Sequence, residues 1–176
     1  MVFSCRTGAR QVSVCASKAI APGAGYAQYR FGKPDPGEPL ELVHQDVTPG
    51  NVFVLYTGQA KLLDFGVAKV RSSDDAGLVK GKAGYLAPEL FDRHPADRRS
   101  DVFALGVVLW ESLTLRRLFA GATDADTFAK IRACEVPPPS AEVPGLPAEL
   151  DAICARALTK DRDARYPSAK AMQDDL

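Results

Sequence analysis

The longest apolar pattern in the chain predicts a central helix over residues Ser100–Leu118. Its apolar residues surround the helix almost completely, which indicates a buried position inside a domain. Ser100 is predicted as the N-cap, because a serine side chain can accept a hydrogen bond from the backbone of the first turn. The uninterrupted apolar run Val102–Trp110 has about half of the ~20 residues that a membrane span needs. It therefore predicts a buried helix and not a membrane segment.

Two further helical patterns follow. In "GLPAELDAICARALTK" the apolar residues recur at the spacing of one helix face, which predicts an amphipathic helix. These residues are Leu150, Ile153, Cys154, Ala157 and Leu158. Another helical pattern begins near Ser168, and the sequence ends within it at Leu176.

Two short β-prone runs, "NVFVLY" and "AKLLDF", flank the turn "TGQ" and predict a hairpin over residues 51–65. Asn51 is at its entrance and Asp64 at its exit, so the two side chains are expected to lie close together. Between residues 21 and 40, prolines and glycines indicate loop, and only "YAQYRF" fits the continuation of a helix. Residues 67–86 are polar and contain glycine, which predicts a surface loop.

Composition is that of an ordinary soluble protein, with 46% apolar and 25% charged residues. The formal net charge of zero gives no argument for nucleic acid or for a membrane surface. The cysteines are scattered, without a C-x-x-C pair or a histidine at ligand spacing, which argues against a metal site or a disulfide framework. They are Cys5, Cys15, Cys134 and Cys154. Reduced thiols in a cytoplasmic protein are the favoured interpretation.

The amino-terminal segment differs from the rest of the chain in charge. Because residues 1–34 hold five of the 22 basic residues and none of the 22 acidic ones, residues 35–176 carry a net charge of −5. An acid-free leader with serine and arginine is similar in composition to a transit peptide. Residues 1–20 stay unassigned, with disorder, translation from another frame and a targeting leader as the alternatives.

The candidate catalytic and metal-binding residues are Asp46, Asn51 and Asp64. Two carboxylates and a carboxamide that converge on a loop and a hairpin end provide the oxygen ligands that Mg²⁺ prefers, together with substrate phosphates. A carboxylate that does not bind the metal could orient an attacking hydroxyl. Turn capping by Asp and Asn is the purely structural alternative.

The order of four motifs narrows these alternatives. "HQDVTPGN" (44–51), "DFG" (64–66), "APE" (87–89) and "SDVFALG" (100–106) resemble the signature motifs of protein kinases. The resemblance runs from about Leu40 to Leu176 and is greatest to bacterial Ser/Thr kinases of the eukaryotic type. It implies an α+β fold with a mostly helical large lobe and a catalytic β-hairpin.

The resemblance implies a role for each site residue. Asp46 matches the aspartate that accepts or orients the proton of the substrate hydroxyl, and Asn51 and Asp64 match the Mg²⁺ ligands beside ATP. Phe53 stands where the family has an apolar residue beneath the adenine ring, with a simple core position as the alternative. ATP and Mg are thus the implied cofactors, and a protein the implied substrate.

Other matches are structural. His44 and Phe65 resemble members of the packed column that aligns the catalytic loop, and Asp101 resembles the helix residue that holds that loop's backbone. Glu89 matches the glutamate of the APE motif, whose usual partner is an arginine at the position of Arg165. A buried pair of this kind is costly to break on one side only.

Several positions depart from the family pattern. Gln45 stands where many kinases have an arginine that pairs with a phosphorylated loop residue, which suggests activity that this phosphorylation does not gate. Thr48 replaces a lysine that contacts the γ-phosphate. Ser72 and Ser73 are candidate modification sites or plain loop serines, and Lys82, in the substrate-facing loop, either attracts phosphate or is only solvated.

Only 43 residues precede His44. A small lobe with five strands of ~5–6 residues each, its connections and a helix does not fit in that length, so we expect residues 21–176 to be a partial kinase domain that lacks the small β lobe.

The predicted function is ATP- and Mg-dependent phosphoryl transfer to Ser or Thr of proteins, with little activity in this chain alone. An inactive lobe that binds partner proteins is the alternative. A small-molecule kinase of the aminoglycoside or choline type is disfavoured by the "APE" and "SDVFALG" segments. The oligomeric state and the substrate protein stay open.

Overall fold

The computed structural model describes residues 3–7, 10–16, 27–32, 43–56, 58–64, 83–92 and 94–176. The chain divides into two units, residues 1–42 and residues 43–176. The candidate site residues belong to the second unit.

The first unit contains a three-stranded antiparallel sheet in the order β1-β2-β3. Its strands are β1 (Phe3–Thr7), β2 (Arg10–Ala16) and β3 (Ala27–Gly32). The predicted helical continuation at "YAQYRF" is wrong, because these residues lie largely in β3 and pair with β2. Tyrosine and phenylalanine favour strands, and β2 supplies hydrogen-bond partners for the β3 backbone. Strands β1 and β2 fall within residues 1–20, and the interpretation of that segment as a leader stays a prediction.

The second unit begins with the 44–51 loop and a short hairpin of β4 (Val52–Val54) and β5 (Ala60–Leu62). The strands are antiparallel, with Phe53 opposite Lys61. Gly58 adopts a φ of +80° in the turn, a conformation that glycine reaches without steric cost. The hairpin predicted over residues 51–65 is therefore confirmed for its described part.

Helix α1 (Arg98–Thr114) is the buried centre of the second unit. It begins earlier than predicted, since Asp97 and not Ser100 is the N-cap. The Asp97 side chain accepts from the Arg99 backbone N–H, while Ser100, three residues into the helix, accepts from the Asp97 N–H. This reciprocal arrangement is a capping box, which satisfies donors at the helix start from both sides.

Four other α-helices lie in the described part of the second unit. They are α2 (Asp124–Ala133), α3 (Pro139–Glu142), α4 (Ala148–Ala157) and α5 (Ala169–Asp175). The amphipathic pattern predicted around α4 and the helix predicted from Ser168 are both confirmed, and Ser168 caps α5 through a hydrogen bond from the Ala171 N–H. No helix in the described part of the chain is both long and apolar enough to cross a membrane.

The core of this unit forms where α1 packs against α4 and the segments around it. Phe103, Val107 and Leu158 are fully or almost fully buried there. At Gly106 an added Cβ would lie 2.9 Å from the Ala157 Cβ, so the glycine permits the close approach of α1 and α4. This packing leaves the first turn of α1 fixed beneath the 44–51 loop.

A buried ion pair joins two segments of the unit that are 76 residues apart in sequence. Arg165 donates to both carboxylate oxygens of Glu89, at 3.0 and 2.8 Å, and Ser100 donates to the same carboxylate. Burial acts to raise the pKa of Glu89, but the hydrogen bonds and positive charge of Arg165, a backbone hydrogen bond and the hydrogen bond from Ser100 together outweigh burial and hold the pKa below its ordinary value. Arg165 also donates to backbone carbonyls, which satisfies the rest of its guanidinium.

Removing the arginine of this pair is expected to destabilise the chain strongly. Arg165→Met should lower the free energy of unfolding by about 3–5 kcal/mol, because the Glu89 carboxylate is then buried without its partner. Urea unfolding measures the change. Arg162→Met is the matched control, since Arg162 is partly exposed and lies 3.8 Å from Asp97, and it should cost below ~1 kcal/mol.

The same pair predicts a pH dependence. Because the pKa of Glu89 is lowered in the folded chain, its contribution is present above the ordinary glutamate pKa and is lost as the pH falls through the folded value. The stability difference between the unchanged chain and Arg165→Met should therefore shrink on acidification. A difference that is constant with pH, or equal costs for Arg165→Met and Arg162→Met, would contradict this account.

A second stability prediction concerns the end of α1. Leu115 is 89% exposed and has a φ of +56°, a left-handed conformation that is costly for a residue with a Cβ. Leu115→Gly should raise the free energy of unfolding by roughly 1 kcal/mol, whereas Leu115→Ala, which keeps the Cβ, should change it little. Thermal unfolding of both variants tests the idea, and equal stabilities for Gly and Ala would refute it.

Candidate active site

The 44–51 loop is held on α1 by one carboxylate. Asp101, in the first turn of α1, accepts the His44 backbone N–H at 2.6 Å and the Gln45 backbone N–H at 2.8 Å. Burial raises the pKa of Asp101, and the two backbone hydrogen bonds oppose that rise. The contact fixes the backbone just before Asp46.

His44 connects this loop to the hairpin. Its buried ring accepts the Asp46 backbone N–H at Nδ1, with 3.3 Å between the nitrogens. Because Nδ1 is the acceptor, Nε2 carries the proton and donates to the Leu63 carbonyl at 3.1 Å. His44 thus joins the residue before Asp64 to the backbone of Asp46.

Asp46 and Asn51 are in direct contact. The Asn51 Nδ2 donates to the Asp46 carbonyl at 2.8 Å and to the Asp46 Oδ2 at 3.0 Å. The amide nitrogen is therefore engaged by Asp46, which leaves the Asn51 side-chain oxygen as the atom that can bind a cation. Asn51 ends a 3₁₀ turn over Pro49–Asn51, where its own N–H donates to the Thr48 carbonyl at 2.9 Å.

Asp64 lies beside this pair at the hairpin exit. The Leu63 N–H donates to the Asn51 carbonyl at 2.8 Å, which brings the next residue, Asp64, to the entrance of the hairpin. Asp64 is exposed and has a φ of +54°, and Gln45 has a φ of +62°. Both residues therefore lie in the left-handed region of backbone conformation, which residues other than glycine seldom occupy. Gln45 is in the 44–51 loop and Asp64 is at the hairpin exit, and such backbone strain clusters at functional sites.

The donor set fits a Mg²⁺ site completed by a substrate. Among the described residues, no group of three or more His, Cys, Asp or Glu side chains is placed to hold a metal by itself. Asn51 and Asp64 offer one amide oxygen and one carboxylate, and Mg²⁺ is commonly bound by few protein oxygens plus substrate phosphates.

The hairpin presents an apolar surface next to this site. Phe53 is 56% exposed, and Val54 and Leu63 are also exposed. Phe53 is therefore not part of the core of the described residues, and its role stays a prediction. An exposed aromatic ring beside a phosphate-type site suits contact with a flat heterocycle.

A cavity of about 40 Å³ is lined in part by Asp46. Its walls come from the 44–51 loop, from Tyr85–Ala87 and from the first turns of α1. Sequence reasoning missed the part that Tyr85 plays here, although its position in "AGYLAPE" next to the APE motif was a usable signal.

Four predicted residues lie outside the described residues: Phe65, Ser72, Ser73 and Lys82.

Comparisons with known proteins show which family the chain matches. A model of the protein kinase domain matches residues 40–176. The chain is similar to Tyrosine-protein kinase MasK of Myxococcus xanthus, at 43% identity over 143 residues that cover 80% of this chain and 22% of that protein. It is also similar to Probable serine/threonine-protein kinase PknB of Bifidobacterium longum, at 40% identity over 78% of this chain and 21% of that protein. A third relative is Serine/threonine-protein kinase PknB of Mycobacterium tuberculosis, at 38% identity over 77% of this chain and 22% of that protein.

The chain spans about a fifth of the length of these relatives. The matched residues include the 44–51 loop, the hairpin and the helices α1 to α5. The chain therefore belongs to the protein kinase family.

Proposed function

We propose that residues 43–176 supply the catalytic loop and metal ligands of an ATP- and Mg²⁺-dependent protein kinase. The reaction is transfer of the γ-phosphoryl group of ATP to serine or threonine hydroxyls of a protein substrate. The observation that supports the proposal is the pair of hydrogen bonds from Asn51 to Asp46, together with the hydrogen bond from the Leu63 N–H to the Asn51 carbonyl, next to Asp64 in sequence. A lobe that served only to bind partners would have no physical need for Asp46, Asn51 and Asp64 together.

Asp46 is proposed to accept the proton of the substrate hydroxyl. The hydroxyl oxygen forms a bond to the γ-phosphorus, the bond from that phosphorus to the β,γ-bridging oxygen breaks, and its electron pair leaves with ADP. Asn51 holds Asp46 by two hydrogen bonds from its amide nitrogen, so the carboxylate is positioned before substrate binds. Positioning and electrostatics are the main contributions of a protein to this reaction.

Asn51 and Asp64 are proposed as the Mg²⁺ ligands, and Phe53 as the residue under the adenine ring. When bound, Mg²⁺ would neutralise charge that develops on the phosphates. The Asp64 carboxylate is exposed, so a cation can reach it from solvent. Gln45 carries no charge for a phosphorylated loop residue, and activity is proposed to be independent of that modification.

The most specific part of the proposal is the type of substrate residue that accepts the phosphoryl group. Two of the relatives above carry serine/threonine kinase in their names and one carries tyrosine kinase. We favour serine and threonine because the motif segments are most similar to that branch. A cytoplasmic site of action is consistent with the free thiols Cys134 and Cys154.

Replacing the proposed base tests the function directly. Asp46→Asn should lower kcat by roughly 10²-fold or more, the range for a general acid–base group, with little change in stability. The measurement is transfer of labelled phosphate from ATP to a mixed peptide library, followed by identification of the modified residue. It is made on the longest natural chain that contains these 176 residues.

Asp92→Asn is the matched control, because Asp92 is exposed and lies outside the site, and it should keep full activity. Label on serine and threonine supports the acceptor assignment, and label on tyrosine corrects it. Activity that survives Asp46→Asn would overturn the proposed role of Asp46. No Mg²⁺-dependent transfer in the unchanged chain would leave a protein-binding lobe as the better interpretation.

A further inference from the structure

The two faces of the β4–β5 hairpin have different surroundings. Val52 lies opposite Leu62 in the register, and Leu62 packs against the hydrophobic core of the second unit. Because successive residues of a strand point to opposite faces, Phe53 and its cross-strand neighbour Lys61 lie together on the other face. Both side chains are exposed, so this outer face of the hairpin is open to solvent.

Lys61 and Phe53 are direct neighbours on the outer face. Residues directly opposite each other in an antiparallel pair have Cβ atoms about 4.5–5.5 Å apart, so the lysine stem starts beside the Phe53 ring. Leu63 follows on the same face, two residues or about 7 Å further along the chain, and is also exposed. A lysine stem that lies along this apolar side chain carries its ammonium toward the hairpin exit at Asp64.

Lys61 supplies the positive charge of the hairpin. From His44 to Asp64 the sequence contains two carboxylates, Asp46 and Asp64, and Lys61 is the one basic residue besides the histidine. A nucleoside diphosphate or triphosphate carries several negative charges, which the two carboxylates repel. The Lys61 ammonium offsets part of this repulsion, because opposite charges about 4 Å apart attract each other even in water.

The chemistry of the ammonium selects the part of a nucleotide that it contacts. A lysine ammonium is a charged donor with three N–H groups and no acceptor. Hydrogen bonds between a charged donor and an anionic oxygen are stronger than those to a neutral acceptor. Lys61 therefore favours the phosphate oxygens of a nucleotide over the neutral ring nitrogens of its base.

We propose that Lys61 is a nucleotide-binding residue, whose ammonium contacts the phosphate chain while Phe53 contacts the adenine ring. This inference rests on the proposed function and adds a residue to its nucleotide side. The contact is made in solvent, so its contribution to affinity is modest and is screened by salt. It depends on the charge of the side chain and not on its apolar stem.

The first test measures nucleotide affinity without phosphoryl transfer. ADP and adenosine are titrated, in buffer without Mg²⁺, into the longest natural chain that contains these 176 residues and into its Lys61→Met variant. Methionine retains an unbranched stem and removes the charge. The Kd for ADP should rise about 3- to 5-fold, the upper range for one solvent-exposed charge contact, and the Kd for adenosine should stay constant. The difference for ADP should shrink at high salt.

Two further variants are the controls. Lys61→Arg keeps a positive charge and should keep the ADP affinity of the unchanged chain. Lys170→Met removes an exposed ammonium that pairs with Asp174 in α5, and it should change neither affinity. Unchanged ADP affinity in Lys61→Met would overturn the inference, and so would an equal loss of affinity for ADP and adenosine.

A second readout needs no mutation. Lysine side chains are acetylated with acetic anhydride, and mass spectrometry follows the rate at each position. Saturating ADP should slow the modification of Lys61 and leave that of Lys170 unchanged, whereas an equal rate at Lys61 with and without ADP would contradict the contact.

The two tests also separate the inference from the proposed function. If ADP binding depends on Lys61 but no phosphate reaches a protein, the inference stands and only the proposed kinase reaction fails. If phosphate is transferred but Lys61 affects neither ADP affinity nor acetylation, the inference alone fails. If the unchanged chain binds no ADP, both are overturned.

Discussion

The candidate site in residues 43–176 depends on the contact of one carboxylate with two backbone amides. Asp101 accepts the N–H groups of His44 and Gln45 and so ties the 44–51 loop to the buried helix α1. The helix itself is fixed by its packing on α4, where Gly106 allows close approach. A loop held in this way can keep strained residues such as Gln45, since the helix opposes their relaxation.

From this anchor the site extends through hydrogen bonds of the loop itself. His44 bonds to the Asp46 backbone on one side and to Leu63 on the other, and Asn51 bonds to both the carbonyl and the carboxylate of Asp46. Within the described residues, every buried side-chain nitrogen or oxygen has a hydrogen-bond partner. Complete hydrogen bonding matters here because an unpaired buried polar group lowers the stability of the fold by more free energy than one formed hydrogen bond contributes.

Sequence reasoning reached the parts of this structure that local pattern and motif order determine. The faces of α4 and α5 follow from apolar spacing, and the hairpin follows from β-prone runs around a glycine turn. The true start of α1 was missed because Asp97 and Ser100 are both good caps, and only the folded chain shows that they cap the helix together. Strand β3 was missed because a short aromatic segment has no period of its own, and its partner β2 decides its conformation.

Motif order singled out Asp46, Asn51 and Asp64 in the sequence, and their roles stay a prediction. It could not give the contacts between distant segments. Tyr85 and Glu111 are 26 residues apart and meet only through tertiary packing.

The most direct test of the central claim is native-state hydrogen exchange of the His44 and Gln45 amides. If Asp101 holds the loop on α1, both amides should exchange only when the chain unfolds globally, with an opening free energy equal to that of the α1 amides. Exchange through local opening, at a free energy well below that of α1, would show that the loop is not held by this contact and would contradict the account.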